Sequence, residues 1–179
     1  MKRIGLIGTL LLVALLVMGL GIARWSDTLT VEGTVNTGSI QAAFWPIEEW
    51  DTEDEGKDYS ELTQAVSEDG KTLTVTIVNG YPCIEYYGMF EIWNLGSIPV
   101  HIDDVRVVSS TLPPESTIQF AQYTGDQDNP MGADLVPWQL HPAGLHEAVV
   151  KVHFPNSAAQ NETYTFEVAI DYGQWNMDP

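Results

Sequence analysis

The chain has 179 residues, with 7 basic and 25 acidic side chains and a formal net charge of −18. Such a field repels nucleic acid and anionic lipid headgroups, which excludes both as partners. A hydrophobic fraction of 44% with 6 Trp and 7 Tyr excludes a disordered chain, and the single cysteine, Cys83, excludes an intramolecular disulfide.

The first element is an export segment. Lys2 and Arg3 precede an apolar run, Ile4–Leu20, broken only by Gly5, Gly8, Thr9 and Gly19. Gly21 and Ala23 place small residues at the −3 and −1 positions of a cleavage site before Arg24. The run also approaches the roughly 20 residues that span a bilayer, so an uncleaved anchor is the alternative. Either way the chain after residue 24 lies outside, secreted or at the cell surface, and touches membrane only through residues 1–23. Residues 24–179 suffice for one domain with a proper core.

Residues 28–35 alternate with period two. Leu29, Val31 and Val35, with Gly33 among them, fall on one face; Thr28, Thr30, Glu32 and Thr34 fall on the other. After Asn36-Thr37-Gly38 the apolar parity changes to Ile40, Ala42 and Phe44. That predicts a bulge or turn, with a second strand over 38–45. The acidic stretch Glu48–Asp58 reads as an exposed loop. Ser60–Glu68 is the one helix candidate, with Leu62, Ala65 and Val66 on one side, and equally fits a loop.

Strands dominate the remainder. Lys71–Val78 sets Leu73, Val75 and Ile77 against threonines. Ile84–Trp93 is apolar on both faces, as in a strand covered twice. Asn94–Pro99 is a turn that pairs this strand with Val100–Val108 as a hairpin. Ile118–Tyr123 follows. Ala148, Val150, Val152 and Phe154 line one face of the next strand, and Tyr164, Phe166, Val168, Ile170 and Tyr172 one face of the last. About eight short strands with turn signals between them predict an all-β fold, a single antiparallel β-sandwich of jelly-roll or immunoglobulin-like type. Cys83 reads as a small buried hydrophobe.

No catalytic constellation stands out. His146-Glu147 would need a second histidine one helical turn on, where Val150 stands, and residues 148–154 alternate as a strand. His101, His141 and His153 are scattered. Two acidic clusters have ligand types suited to calcium, the one ion expected as a cofactor if there is any. Asp51, Glu53, Glu55 and Gly56 match the first half of an EF-hand loop, but Leu62 stands where the bidentate glutamate belongs. Asp126, Asp128, Asn129 and Asp134 form the second. A solvated acidic loop is the simpler reading of each. Trp45, Trp50 and Trp175 are candidates for stacking on sugars, whereas Trp93 and Trp138 belong to the core or its rim. Asn161-Glu162-Thr163 is a glycosylation sequon where the host uses one.

The block Ala23-Arg24-Trp25-Ser26-Asp27 followed by Thr37-Gly38-Ser39-Ile40 resembles the processing region of the TasA/camelysin family of exported β-sandwich proteins, which carry a dedicated type of signal peptide. Asn94-Leu95-Gly96-Ser97-Ile98-Pro99-Val100 is similar to a turn of related exported β-sandwich proteins, archaeal bundling pilins among them. This chain departs from the pattern in its acidic insertion at 48–58 and in Cys83, where a Gly follows Tyr-Pro. The resemblance implies a subunit of an extracellular fibre, pilus or biofilm matrix that self-associates, residues 25–35 of one copy acting as donor strand to the next. The alternatives are a membrane-anchored extracellular module binding calcium or carbohydrate and, as the camelysin label implies, a secreted metalloprotease. With no second zinc ligand at Val150, the chain is expected not to be an enzyme. Pure protein should leave casein intact with or without zinc; zinc-dependent cleavage lost in His146→Ala would overturn this.

Overall fold

The structure, a computed structural model, describes residues 2–19, 33–34, 37–54, 56 and 59–176. The chain divides into two compact units, residues 1–36 and 37–179. In the first, α1 (Lys2–Gly19) is a helix of 18 residues. The Thr9 hydroxyl caps back onto the Gly5 carbonyl at 2.7 Å. Among the described residues no helix is long and apolar enough to cross a membrane. Gly21, Ala23 and Arg24 of the expected cleavage site, and Leu29, Val31 and Val35 of the expected donor strand, lie outside the described residues. Gly33 is exposed and meets no neighbour.

The second unit is the predicted antiparallel sandwich. One sheet has the order β1 (Ala42–Asp51), β4 (Glu85–Asn94), β8 (Leu145–His153), β6 (Thr117–Gln122). The other runs β2 (Glu61–Val66), β3 (Thr72–Gly80), β9 (Glu162–Gln174), β5 (Val100–Ser110), β7 (Trp138–Leu140). Period-two alternation turns one face of each strand inward. Leu73, Val75 and Ile77 of β3, Phe90 and Ile92 of β4, Ala148, Val150 and Val152 of β8, and Phe166 and Val168 of β9 are completely buried between the sheets. Phe44 meets Phe90 edge-on at 5.5 Å, and Phe154 meets Tyr164 likewise at 5.0 Å.

Several expectations are corrected. Ser60–Glu68 contains strand β2, not a helix. Leu62 is buried and Gln64 and Val66 half-buried, while Thr63 and Ala65 are exposed, and the register with β3 runs unbroken from Glu61↔Val78 to Val66↔Leu73. Cross-strand pairing outweighs the helical spacing of Leu62, Ala65 and Val66. The Glu48–Asp58 stretch is not all loop: its first four residues continue β1, past a register shift between Pro46 and Glu48. The strand expected over 38–45 begins at Ala42. Asn94–Pro99 is not a hairpin turn, because β4 and β5 lie in different sheets; the chain turns a corner there. Cys83 is exposed rather than buried, at φ 67°, its thiol donating to Asn156 Oδ1 at 2.8 Å. That left-handed backbone is the region glycine favours.

Asn94 holds the corner. Its side chain is wholly buried. Its Nδ2 donates to the carbonyls of Ile98 at 2.9 Å and Leu140 at 3.0 Å, and its Oδ1 accepts from the Gly96 amide at 2.9 Å. Its backbone amide donates to the Gly144 carbonyl, and its carbonyl accepts from the Ala143 amide. One residue thus joins β4, the corner, β7 and the turn before β8. Asn94→Ala should lower the unfolding free energy by about 3 kcal/mol, because buried partners lose their hydrogen bonds. Urea titration measures this; a loss well under 1 kcal/mol would mean that the backbone alone holds the corner.

Candidate functional site

Three places could carry function: the corner where the chain enters the sandwich, the loops at the opposite end, and the outer face of the β1-β4-β8-β6 sheet.

At the entry, residues 37–41 run beside the corner. The Ser39 amide donates to Ser97 Oγ, the Ser97 amide to the Ser39 carbonyl, and the Leu95 amide to the Gln41 carbonyl, all within 2.8–2.9 Å. A Cβ on Gly96 would lie 2.4 Å from the Ser39 carbonyl, and one on Gly38 would lie 2.2 Å from Ile98 Cγ2, so both glycines are required by close approach. The segments Thr37–Ile40 and Asn94–Val100, which separately carry the family resemblance, are therefore one joint. The β1-β4 ladder ends at Ala42↔Asn94, and the bond from the Leu95 amide to the Gln41 carbonyl carries it one step further.

At the opposite end, the β1–β2, β3–β4 and β8–β9 loops converge. Glu53 organises them. Its carboxylate accepts the Tyr59 amide at 2.7 Å, the Ser60 amide at 3.0 Å and the Ser60 hydroxyl. Burial alone would raise the Glu53 carboxyl; these hydrogen bonds and one from Tyr81 outweigh it and hold it below the usual glutamate value. The Tyr81 phenol is pushed up to about 12, by burial first and then by its hydrogen bond to Glu53 and that carboxylate's charge. The Tyr81 amide donates to the buried Tyr86 hydroxyl at 3.2 Å. Outside this knot lies an open cleft of about 370 Å³, lined by Tyr59, Asn79, Tyr81, Gln160 and Asn161.

Three of the expected calcium ligands, Asp51, Glu53 and Asp126, accept hydrogen bonds from backbone amides. Asp51 Oδ1 accepts the Glu53 amide at 2.8 Å, and Glu53 is occupied as described. Glu55 lies outside the described residues. Asp126 Oδ1 accepts the Asp128 amide at 3.0 Å, an Asx turn, and Asp126, Asp128 and Asp134 are exposed. Among the described residues no three His, Cys, Asp or Glu side chains converge where they could hold a metal ion. His146 stacks on Trp138 with centroids 4.0 Å apart.

The outer face of the β1-β4-β8-β6 sheet carries the twofold apolar pattern of β4. Tyr87, Ala121 and Val149 form a second buried cluster with Trp50, Tyr123 and Met131 packed on it. Trp50 stacks on Tyr87 at 5.3 Å, and Lys151 pairs with Glu85 at 2.5 Å beside it. Trp50 is thus a packed residue, half-buried, while Trp45 and Trp175 are exposed. Trp45, Trp93 and Leu95 line an apolar hollow of about 290 Å³ near the entry joint. The three candidate tryptophans do not form one platform: Trp45 belongs to this hollow, Trp50 to the second cluster and Trp175 to the end of β9.

The sequence reading missed Tyr59, Asn79, Tyr81 and Gln160, and marked Asn161 only as a sequon. The available signal was weak: Asn79-Gly80 and Asn161 are turn-type residues at strand ends. Comparison with family models, with curated proteins and with solved structures finds no match.

The lowered Glu53 carboxyl links stability to pH. Its contribution is complete above the unfolded glutamate value and disappears as pH falls through the lower, folded one. Glu53→Gln should cost about 1–3 kcal/mol at pH 7 and narrow its deficit against the natural chain on acidification. Urea midpoints measured from pH 7 to pH 3 test this; a deficit that does not change with pH would remove Glu53 from the account.

Proposed function

We propose that this protein is a non-catalytic structural subunit of an extracellular fibre, pilus or matrix, built by adding residues 25–35 of one copy to the sandwich of the next. The observation that carries the reading is the pair of sheet edges formed by β5 and β6, most of whose length pairs with no further strand among the described residues. The resemblance of residues 23–40 and 94–100 to exported fibre subunits supports the same reading.

The receiving surface is the side of the sandwich bounded by β5 and β6. β7 pairs with β5 only over Val100–Ile102, and the rest of β5 pairs only with β9. Among the described residues β6 has β8 as its one strand partner, and only its last residue, Gln122, is bonded on the outer side, to Gly132 and Ala133. Val105, Val107, Ile118 and Phe120 there are half-buried against the core. The other side is closed: the Gln64 amide donates to Glu49 Oε1 at 3.2 Å across the β1 and β2 edges. An added strand gains main-chain hydrogen bonds. Leu29, Val31 and Val35 would each contribute about 1.5–3 kcal/mol at full burial, an upper bound. Thr28, Thr30, Glu32 and Thr34 would face water. With a net charge of −18, copies repel one another, so salt or acidification should promote assembly.

A chain beginning at Asn36 should fold, fail to form filaments and bind a synthetic peptide of residues 25–35, with slowed amide exchange over 103–110. Filaments from the truncated chain would refute the connector. An unfolded truncation that ignores the peptide would make the segment an ordinary strand of its own sandwich.

A further inference from the structure

We propose that the cleft lined by Tyr59, Asn79, Tyr81, Gln160 and Asn161 is a binding site for a neutral, hydroxyl-rich saccharide chain. This is independent of whether the subunit polymerises.

The lining selects the ligand class. Two tyrosines and three carboxamides surround about 370 Å³, at the lower end of the range for small-molecule sites. A tyrosine ring face suits the C–H face of a sugar ring, and each carboxamide both donates and accepts, matching neighbouring hydroxyls. An apolar ligand would bury these carboxamides unpaired. An anion would find no cationic side chain in the lining and a net charge of −18 around it. A metal ion would want carboxylates, and Glu53, which lies behind the lining, already accepts from Tyr59, Ser60 and Tyr81. A neutral polyol meets none of these penalties, and the open cleft leaves room for a chain to continue beyond it.

The backbone holds the amides in place. Asn79 has φ 54° and Asn161 has φ 60°, on either side of the Gly80↔Glu162 pair that joins β3 to β9. Glycine adopts such angles at no steric cost, yet both positions carry a carboxamide that faces the cleft. Glu53 holds the Tyr59 backbone through its amide and the Tyr81 ring through its phenol. The Tyr81 ring and the two asparagine backbones are therefore set before any ligand arrives, which limits the ordering cost of binding.

The left-handed angles also supply a test that spares the fold. Asn79→Gly with Asn161→Gly removes two carboxamides at positions where glycine is relaxed. The full chain would be run in native gels containing a soluble β-1,4-glucan, a β-1,3-glucan or a galactomannan. At least one should retard it. Tyr59→Ala, and separately the paired glycine variant, should each weaken that retardation about tenfold or more, with the thermal midpoint not lowered. Retardation by none of the three polymers would overturn the proposal. So would retardation that survives both variants, or that disappears in Trp45→Ala while persisting in them, which would put the sugar on the outer aromatic face.

Discussion

Two buried polar side chains set the frame on which the rest of the sandwich hangs. Among the described residues only Ser60 and Asn94 are polar and buried. They lie at opposite ends, Asn94 at the close of β4 and Ser60 beside the residues that lead into it. Each has its partners: Asn94 serves two carbonyls and an amide, and Ser60 bonds Glu53 through both its amide and its hydroxyl. Hydrophobic burial between the sheets is strong but non-directional and would tolerate sliding. A buried amide left without partners would cost more than the slide gains, so the satisfied geometry selects one arrangement. The entry joint depends on the Asn94 end, and the loop cleft on the Ser60 end.

The sandwich treats its two open sides differently. On the β1 and β2 side, Pro46 interrupts the ladder, Ile47 is displaced at the register shift, and Glu48 and Glu49 place charge on the edge. These features discourage another strand from pairing. On the β5 and β6 side the protection is lighter: two register shifts in β5 and the exposed Asp103 and Asp104 near the end that β7 covers, with half-buried valines beyond. An edge left that way is a hazard for a monomer and a resource for an assembly.

The elements that could be read from the sequence were those decided within one segment. Leu73-Val75-Ile77, the double-faced run of β4, and the row Tyr164, Phe166, Val168, Ile170 and Tyr172 of β9 announced themselves by period two, and each faces as the alternation requires. The double coverage of β4 was also legible, although its outer cover is a side-chain cluster rather than another layer. What failed was decided between segments. Glu61–Val66 carries both helical and strand spacing, and only β3 chooses. The corner after Asn94 has a hairpin's residues, but Leu140 and Gly144, far along the chain, determine that it leaves its sheet. The cleft was invisible for the same reason. Tyr59 and Asn161 belong to two loops and Asn79 to the end of β3, and nothing in their spacing brings them together. Cys83 was misplaced because cysteine is usually a core residue, and only its left-handed backbone marks it as a turn position.

The corner after Asn94 has one more consequence, a mechanical one. Ser39 and Gln41, where the chain enters the sandwich, are bonded to Ser97 and Leu95; at its exit the Trp175 amide donates to the Pro99 carbonyl at 3.3 Å. Entry and exit are thus stitched to the same six-residue turn. Tension applied between the two ends would pass through that short stretch of backbone hydrogen bonds and spare the packed layers. The first event under load would be the unzipping of residues 37–41, a small extension that leaves the domain intact and can close again when the force is released.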